Sequence, residues 1–247
     1  RFGKGSLAGH TAGNIILAAL EKITGNIDEA INLASKMLNV RGQVMPVTLE
    51  PTVLSAKLKN GKRIIGEHNI DDQDPGNKTS PIKNLRLSSA KTNPKTLNAI
   101  AQADVIIFGP GDLYTSILPN VLVKGMKEAI NKSLAKKVLI VNIMTKFGQT
   151  DGFKASDFLT EMEKYLGGKI GVVLTNNKKP PSGILRKYAK EKAEFVEPDL
   201  KSGKRLMVIS EDLISKDVPQ KKAGDKLKRS FLRHDCGKIA KLIWSLV

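Results

Sequence analysis

The sequence predicts an α/β protein with a doubly wound, mainly parallel β-sheet. From residue 94 onward, short apolar runs typical of buried strands alternate with segments of helical spacing. One of these runs, Val105–Phe108, leads into a glycine-bearing loop over 109–116 and then into a helix predicted from Pro119. The 247 residues, 40% of them apolar, suffice for one large domain with a sizeable core.

Two helices and a β-meander are predicted for the first third of the chain. Asn60-Gly61 indicates a hairpin with a type I′ turn, and the strands around it define a β-meander sub-region over 43–70. Prolines and a glycine predict a loop after it. The predicted elements are helices over 14–24 and 27–38, strands over 44–49, 53–58 and 63–66, and a loop over 71–84.

Strands and helices alternate in the predicted remainder, which ends in a basic stretch. Asn93-Pro94 marks a helix start, because proline is tolerated in the first turn. A lysine-rich linker at 216–229 and a closing helix form a C-terminal region over 216–247. The predicted elements are strands over 85–87, 105–108, 137–141, 172–175 and 206–209, and helices over 94–103, 119–130, 158–166 and 239–246.

The composition limits the class of protein and its partners. Lys and Arg number 41 against 24 Asp and Glu, so the formal net charge of +17 makes anionic ligands and surfaces candidate partners. The lysines are scattered and do not alternate with base-stacking aromatics, which disfavours nucleic acid. Cys236 is the single cysteine in the sequence, so a reducing, cytoplasmic setting fits. The sequence contains no apolar run long enough for a membrane span.

The first candidate phosphate-binding loop runs over 5–14 and opens the first predicted helix. Gly9 and Asn14 lie where backbone amides and a helix N-terminus favour an anion, and His10 could donate a hydrogen bond to it. The alternative is an N-capping loop that binds no ligand.

The second candidate is the glycine loop, which we define as residues 109–116. It follows the carboxyl end of a predicted strand, where ligands collect in open α/β sheets, and its glycines let the backbone approach a phosphate. Asp112 would repel a phosphate unless a cation or water mediates, so it is a candidate Mg²⁺ ligand, or else a turn aspartate. The alternative for the whole loop is a turn without a ligand. The candidate ligand residues are Gly109, Pro110, Gly111, Asp112, Tyr114, Thr115 and Ser116.

The third candidate loop runs over 142–153, after the strand predicted to end at Val141. Asn142, Thr145 and Asp151 belong to a dense polar set that is typical of contacts to a base or to sugar hydroxyls. Phe153 could stack on a base, or it could be a core residue that packs on the next helix. We find no convincing nucleophile–base pair, so the pattern favours a phosphate or nucleotide binder.

Several segments of the chain resemble the YvcK-type gluconeogenesis factors, which belong to the superfamily of 2-phospho-L-lactate transferase (CofD-like). They follow in order along most of the chain. They are Gly9-His10 with Gly13-Asn14 (GHxxGNLLLA in the family), 38–46 (LNVRGxVLP), 109–120 (GPGSLYTSxLPN), 142–157 (NVMTQxGETDGYTASDH), and shorter matches at 187–190 and 232–234.

The resemblance implies a Rossmann-like fold and a nucleotide-sugar ligand similar to UDP-N-acetylglucosamine. It implies a bacterial regulator of carbon metabolism, cell shape and cell-wall precursor supply, because the GPGxLYTS form resembles the regulator branch. Arg233 would then neutralise a phosphate, since a guanidinium suits that geometry. Protein partners and a homo-oligomer stay open.

Two alternatives remain beside the regulator. The transferase branch of the superfamily moves a phospho-lactyl group between a nucleotide and a deazaflavin with Mg²⁺, which would make Asp112 a metal ligand. The second alternative is a basic nucleic-acid-binding protein, for which the net charge of +17 is the argument.

The chain departs from the family pattern at its start and in two loops. The family begins with a strand and a GGGTG phosphate loop. We therefore expect residues 1–247 to be a single CofD-like domain that lacks this N-terminal segment. Asp112 stands where the family often has serine. Phe153 stands where tyrosine is common, which keeps a stacking face and loses a hydroxyl.

Overall fold

A computed structural model describes Phe2 and residues 5–73, 79–217 and 230–247. Within these residues the chain folds as a mixed α/β protein with one parallel and one antiparallel sheet. The strands are β1 (Leu54–Leu58), β2 (Arg63–Ile65), β3 (Ile82–Leu87), β4 (Val105–Phe108), β5 (Lys136–Ile140), β6 (Val172–Asn176) and β7 (Met207–Glu211). The helices are α1 (Ala12–Thr24), α2 (Ile27–Met37), α3 (Glu67–Asp71), α4 (Pro94–Gln102), α5 (Leu118–Leu122), α6 (Met126–Lys132), α7 (Ala155–Leu166), α8 (Ser182–Lys190) and α9 (Cys236–Trp244), with a π-helical turn over Leu113–Ile117 before α5.

The parallel sheet has the strand order β4-β5-β6-β7, and each neighbouring pair is parallel. Successive residues of a strand face opposite sides of the sheet, so each side builds its own core. Leu139 and Val173 pack with α5, α6 and α7 on one side, whereas Val138 and Leu174 pack with α9 on the other. Helices therefore cover both faces, which confirms the predicted doubly wound α/β architecture.

The antiparallel sheet has the order β2-β1-β3 and shares the larger core with the parallel sheet. Leu54, Ala56 and Leu58 of β1 alternate inward and are almost fully buried. The hydroxyl of Tyr165 on α7 accepts a hydrogen bond from the backbone N–H of Leu85 at 2.7 Å. This bond ties an antiparallel strand directly to a helix of the parallel layer.

Two strand predictions in the first third need correction. Residues 44–49 form no strand, because Asn93 donates hydrogen bonds to the carbonyls of Pro46 (3.1 Å) and Val47 (2.8 Å) and thereby docks the segment on the start of α4. The strand predicted at 85–87 begins at Ile82 and pairs antiparallel with β1, so it belongs to the meander sheet. The predicted loop over 71–84 is correspondingly shorter, and residues 74–78 lie outside the described residues.

The hairpin between β1 and β2 is confirmed, but its turn is not type I′. A type I′ turn needs positive φ at both central residues, and only Gly61 has it, with φ +90°. Asn60 instead uses its side-chain oxygen to accept a hydrogen bond from the Lys62 N–H at 3.0 Å. That local bond stabilises a different turn with the same residues.

The single helix predicted over 119–130 is divided into α5 and α6. The break lies at Lys124, whose N–H donates to the Ala90 carbonyl (3.1 Å) and whose carbonyl accepts from Thr92 (3.3 Å). Gly125 then has φ +100°, a conformation that a side chain would strain. Pairing with the segment before α4 thus outweighs the helical preference of the sequence.

The predicted strands at 105–108, 137–141, 172–175 and 206–209 and the predicted closing helix are confirmed to within a few residues. Most of the predicted linker at 216–229 lies outside the described residues. In the described part of the chain, no helix is long and apolar enough to cross a membrane.

Candidate functional site

A cleft of about 640 Å³ opens at the carboxyl edge of the parallel sheet. Loops that follow β4 and β5 form its floor, and α8 and the segment before α9 form its other side. Its lining residues are Asp71, Asp72, Gln73, Pro110, Gly111, Asp112, Asn142, Ile143, Met144, Thr145, Lys146, Phe147, Tyr188, Glu191, Ala193, Ser230, Leu232, Arg233, His234 and Cys236. Ligands of open α/β sheets collect outside the carboxyl ends of the strands, which is where this cleft lies.

Asn142 fixes the glycine loop against the loop after β5. Its side-chain nitrogen donates to the Gly111 carbonyl at 2.9 Å, and its side-chain oxygen accepts from the Gly111 N–H at 3.3 Å. This reciprocal pair holds the two loops together at the bottom of the cleft. Asn142 therefore lines the cleft, with both ends of its amide engaged in positioning the glycine loop.

The hydroxyl residues of the glycine loop are separated by the π-helical turn. Tyr114 points into the core and donates to Glu161 Oε1 at 2.9 Å; burial and the nearby Glu161 carboxylate raise the pKa of Tyr114 far above its usual range. Thr115 donates to Asp71 at 3.2 Å. Ser116 is exposed, and its carbonyl accepts from Asn120. None of the three lines the described cleft.

Asp71, Asp112 and Lys146 form an ion cluster in the cleft. Lys146 Nζ donates to Asp112 Oδ2 at 2.6 Å and also contacts Asp71 Oδ1. Burial acts to raise the pKa of Asp71, but the hydrogen bond and charge of Lys146 outweigh it, so the net direction is downward. For Asp112, burial and the neighbouring carboxylate of Asp71 raise the pKa by more than the hydrogen bond and charge of Lys146 lower it, so the net direction is upward.

The pKa of Lys146 is also set by this cluster. Burial acts to lower it, and the hydrogen bonds and charges of Asp112 and Asp71 together raise it. Both carboxylates contact the same ammonium. Because the pKa of Asp71 is lowered and that of Asp112 is raised, we assign the negative charge to Asp71 and the positive charge to Lys146. The cluster as a whole keeps a protonated lysine between two acids.

The remaining candidate residues of the third loop make hydrogen bonds or packing contacts within the protein. Thr145 accepts from the Glu194 N–H at 2.8 Å through its hydroxyl. Asp151 accepts from the Gly148 N–H at 2.8 Å and closes a turn. Phe153 packs edge-to-face on Phe158 at 5.6 Å, so its ring lies at the core. The aromatic residue of this loop that lines the cleft is Phe147, not Phe153.

The segment before α9 closes the cleft opposite the glycine loop. Arg233 lines the cleft and is exposed, as an anion-binding residue requires. His234 hydrogen-bonds the Val141 carbonyl through Nε2 at 3.2 Å, and burial lowers the pKa of its imidazole. The Tyr188 hydroxyl accepts from the N–H groups of Phe231 (3.1 Å) and Leu232 (3.2 Å), which fixes this segment on α8.

The N-terminal candidate loop lies elsewhere. Gly9, His10 and Asn14 are exposed and are not among the residues that line the cleft. Thr11 caps α1 by accepting from the Asn14 N–H at 3.1 Å. The structure therefore does not bring this loop together with the other two.

Sequence reasoning missed Asp71, Lys146, Phe147 and Tyr188. Asp71 was placed in a loop, far along the chain from its partners, and only the tertiary fold brings it to the cleft. Lys146 and Phe147 lie inside the predicted third loop, and their position after a strand was a usable signal. Tyr188 falls on α8, a helix that the apolar spacing did not predict.

The transferase branch of the family implies Mg²⁺, with Asp112 as the candidate ligand. The carboxylates of Asp112 and Asp71 already share the ammonium of Lys146. Among the described residues, no group of three or more His, Cys, Asp and Glu side chains is placed to hold a metal ion. Because Mg²⁺ needs anionic oxygen ligands that are free to contact it, two carboxylates already paired with an ammonium do not fit it.

The fold and the cleft are those of an α/β protein of the CofD-like class. The family model described as 2-phospho-L-lactate transferase CofD matches residues 1–214, and the chain belongs to this family. Within it, the chain is similar to the gluconeogenesis factor of Bacillus subtilis, with 38% identity over 100% of this chain and 75% of that protein.

Other relatives and a solved structure are similar to the chain over nearly its whole length. A gluconeogenesis factor of Halalkalibacterium halodurans is 39% identical over 98% of this chain and 72% of its own length. A Thermotoga maritima relative is 41% identical over 98% of this chain and 74% of its own length. The crystal structure of a UPF0052-family protein from Bacillus halodurans superimposes with a TM-score of 0.86 at 36% identity, covering 99% of this chain and 74% of that one.

Proposed function

We propose that the chain is a regulator that binds a nucleotide sugar similar to UDP-N-acetylglucosamine and acts on carbon metabolism, cell shape and cell-wall precursor supply. The observation that carries the proposal is the convergence of the glycine loop, the loop after β5 and Arg233 on one cleft. The relatives named gluconeogenesis factor support the metabolic part.

The cleft has the size and the mixture of groups that such a ligand needs. Its volume of about 640 Å³ lies within the roughly 300–1,000 Å³ of small-molecule sites. The backbone of Gly111 lines the cleft, and Arg233 supplies a forked cation for a diphosphate. Phe147 offers an aromatic surface for the uracil base, a role for which the sequence makes Phe153 a candidate beside a core position.

Lysines beside the cleft favour a negatively charged ligand. Lys192 Nζ lies 5.1 Å from the ring centre of Phe147, and Lys187 Nζ lies 5.5 Å from that of Phe231. Both lie on or next to α8, at the side of the cleft. Positive charges at this side raise the rate at which an anionic ligand arrives, against the repulsion of the lining carboxylates of Asp71, Asp72, Asp112 and Glu191.

Calorimetric titration with UDP-N-acetylglucosamine tests the proposal. We expect saturable binding that weakens about ten-fold or more in Arg233→Met, because a charged hydrogen-bond donor contributes about 1.5–3 kcal/mol. Arg205→Met is the matched control, since Arg205 is exposed and lies before β7, away from the carboxyl edge. Equal binding by both variants, or no binding by the wild type, would reject the proposal.

Recovery of intact ligand separates a regulator from an enzyme. We expect UDP-N-acetylglucosamine to be unchanged after long incubation with the protein. The transferase alternative has the matching family model in its favour. Transfer of a phospho-lactyl group to a deazaflavin acceptor, lost in Asp112→Ala, would support that alternative instead.

A further inference from the structure

Lys146 connects three separate segments of the chain at the cleft. Asp71 ends α3, which follows β2, Asp112 belongs to the glycine loop, and Lys146 follows β5. The ammonium contacts both carboxylates, and the side chains of Lys146, Asp71 and Asp112 are 28%, 40% and 37% exposed. The lysine therefore occupies the point where these two acids meet.

Neutral donors complete the environment of Asp71. Thr115 Oγ1 and Gln149 Nε2 each donate to Asp71 Oδ1 at 3.2 Å. Gln149 is 2% exposed, and its Oε1 atom is buried without a hydrogen-bond partner. The amide thus turns its nitrogen to the carboxylate and leaves its oxygen without a hydrogen-bond partner.

Electrostatics explain why a cation is needed at this point. Two carboxylates on the floor of an anion-binding cleft repel each other and repel a phosphate. Proteins commonly solve this with a divalent ion that bridges acid and phosphate oxygens. Here the covalently attached ammonium of Lys146 lies on both acids.

We propose that Lys146 is a built-in cation that replaces a divalent metal in the cleft, so that anionic ligands bind there without Mg²⁺. The choice of UDP-N-acetylglucosamine as the test ligand rests on the proposed function, but the position of the cation does not. Lys146 acts as a positioning residue: it holds Asp71 and Asp112 together and removes their repulsion of the ligand.

Removal of the lysine should uncover a metal site. Lys146→Met leaves the carboxylates of Asp71 and Asp112 without their ammonium, as two oxygen donors for a hard cation that keeps several of its waters. We expect Lys146→Met to bind Mn²⁺, measured by electron paramagnetic resonance, about ten-fold or more tightly than the wild type. A purely structural role for Lys146 predicts no gain of metal binding.

Three further variants make the metal experiment specific. Asp112→Asn added to Lys146→Met should abolish the gained Mn²⁺ binding, because one of the two acids is gone. Lys146→Arg should behave like the wild type, since it keeps the cation. Lys154→Met is the control, because Lys154 pairs with Glu197 at 2.9 Å in an exposed position. It should gain no site.

Ligand titration gives the second readout. The wild type should bind UDP-N-acetylglucosamine with the same affinity, within about two-fold, in excess EDTA and in Mg²⁺. Lys146→Met should bind weakly in EDTA and recover in Mg²⁺. Loss of wild-type binding in EDTA, or comparable Mn²⁺ binding by wild type and Lys146→Met, would overturn the inference.

The two proposals fail in different ways. If no condition gives UDP-N-acetylglucosamine binding, the proposed function is wrong, while the Mn²⁺ titrations still decide the role of Lys146. If Lys146→Met unfolds, as monitored by circular dichroism, the wild-type comparison in EDTA and Mg²⁺ and the Lys146→Arg variant decide it.

Discussion

The N-terminal loop over 5–14 and the glycine loop over 109–116 carry the same sequence signals, small residues that lead into a helix, yet their environments differ. The glycine loop follows β4, lies beside the loop after β5 and contributes to the cleft. The N-terminal loop is exposed, and the α1 helix that it opens has no buried residue. The comparison shows that the position of a glycine loop at the carboxyl edge of a sheet matters more than its composition.

The largest expected difference between the two regions is in stability. Leu139 in β5 is 2% exposed, and Leu139→Ala should lower the free energy of unfolding by about 2–5 kcal/mol, because it removes packed atoms and leaves a cavity. Ile23 in α1 is 77% exposed, and Ile23→Ala should change it by less than about 0.5 kcal/mol. Urea denaturation measures both. Similar losses would mean that α1 is packed as firmly as the sheet.

Tyr114→Phe tests whether the glycine loop is anchored through the core. The variant loses the hydrogen bond to the Glu161 carboxylate, and we expect a loss of about 1.5–3 kcal/mol in unfolding free energy. Nucleotide-sugar affinity should stay unchanged, since the hydroxyl points away from the cleft. A variant with normal stability and weakened binding would place Tyr114 in the ligand site instead.

Gly111→Ala and Gly13→Ala compare the two loops by binding. A Cβ at Gly111 would lie 3.6 Å from the side chains of Ser116 and Ile117, so the fold accepts it, and it would add bulk to backbone that lines the cleft. We expect affinity for UDP-N-acetylglucosamine to fall about ten-fold, or about 1.4 kcal/mol. A Cβ at Gly13 meets nothing within 4 Å, and Gly13→Ala should bind normally. A stronger effect at Gly13 than at Gly111 would reverse the comparison.

The smallest expected effect is a pH dependence at the cleft. Burial lowers the pKa of His234 below the ordinary value of 6.5, so the unfolded chain takes up a proton there before the folded chain does. The neutral imidazole of His234 therefore contributes to stability above about pH 6.5, and this contribution is lost as the pH falls from that value toward the lowered pKa of the folded state. Urea denaturation between about pH 7.5 and 5.5 should therefore show a shallower decline in His234→Gln than in the wild type. Parallel curves would contradict this assignment.

The parallel sheet could be predicted because its signal is local. The runs at Val105–Phe108 and Val172–Leu174 are apolar and bounded by turn residues. Every residue of β6 is buried, whereas β4, at the edge of the sheet, leaves Ile107 exposed. The segment over 44–49 has similar residues, but Asn93 captures its carbonyl groups, and nothing near residue 46 announces that partner. Apolar segments therefore take different structures because a distant residue, Asn93, binds the carbonyl groups of one of them.

The site could be predicted only in part, for a related reason. The sequence located Asn142 and Arg233 at the cleft because each occupies a recognisable motif. It could not show that Tyr114 points inward, since a tyrosine serves a core and a ligand equally well. It also missed the ion cluster, because the partners Asp71 and Lys146 are 75 positions apart and meet only after both sheets have packed.

The paired hydrogen bonds between Asn142 and Gly111 have a consequence for the rate and cost of ligand capture. Because the two loops are already locked to each other, the conformational entropy of ordering them is spent when the chain folds rather than when a ligand arrives. A ligand that touches either loop meets a surface that does not have to rearrange. Encounters should therefore convert to complexes with little delay, and selectivity would reside mainly in how long each complex lasts.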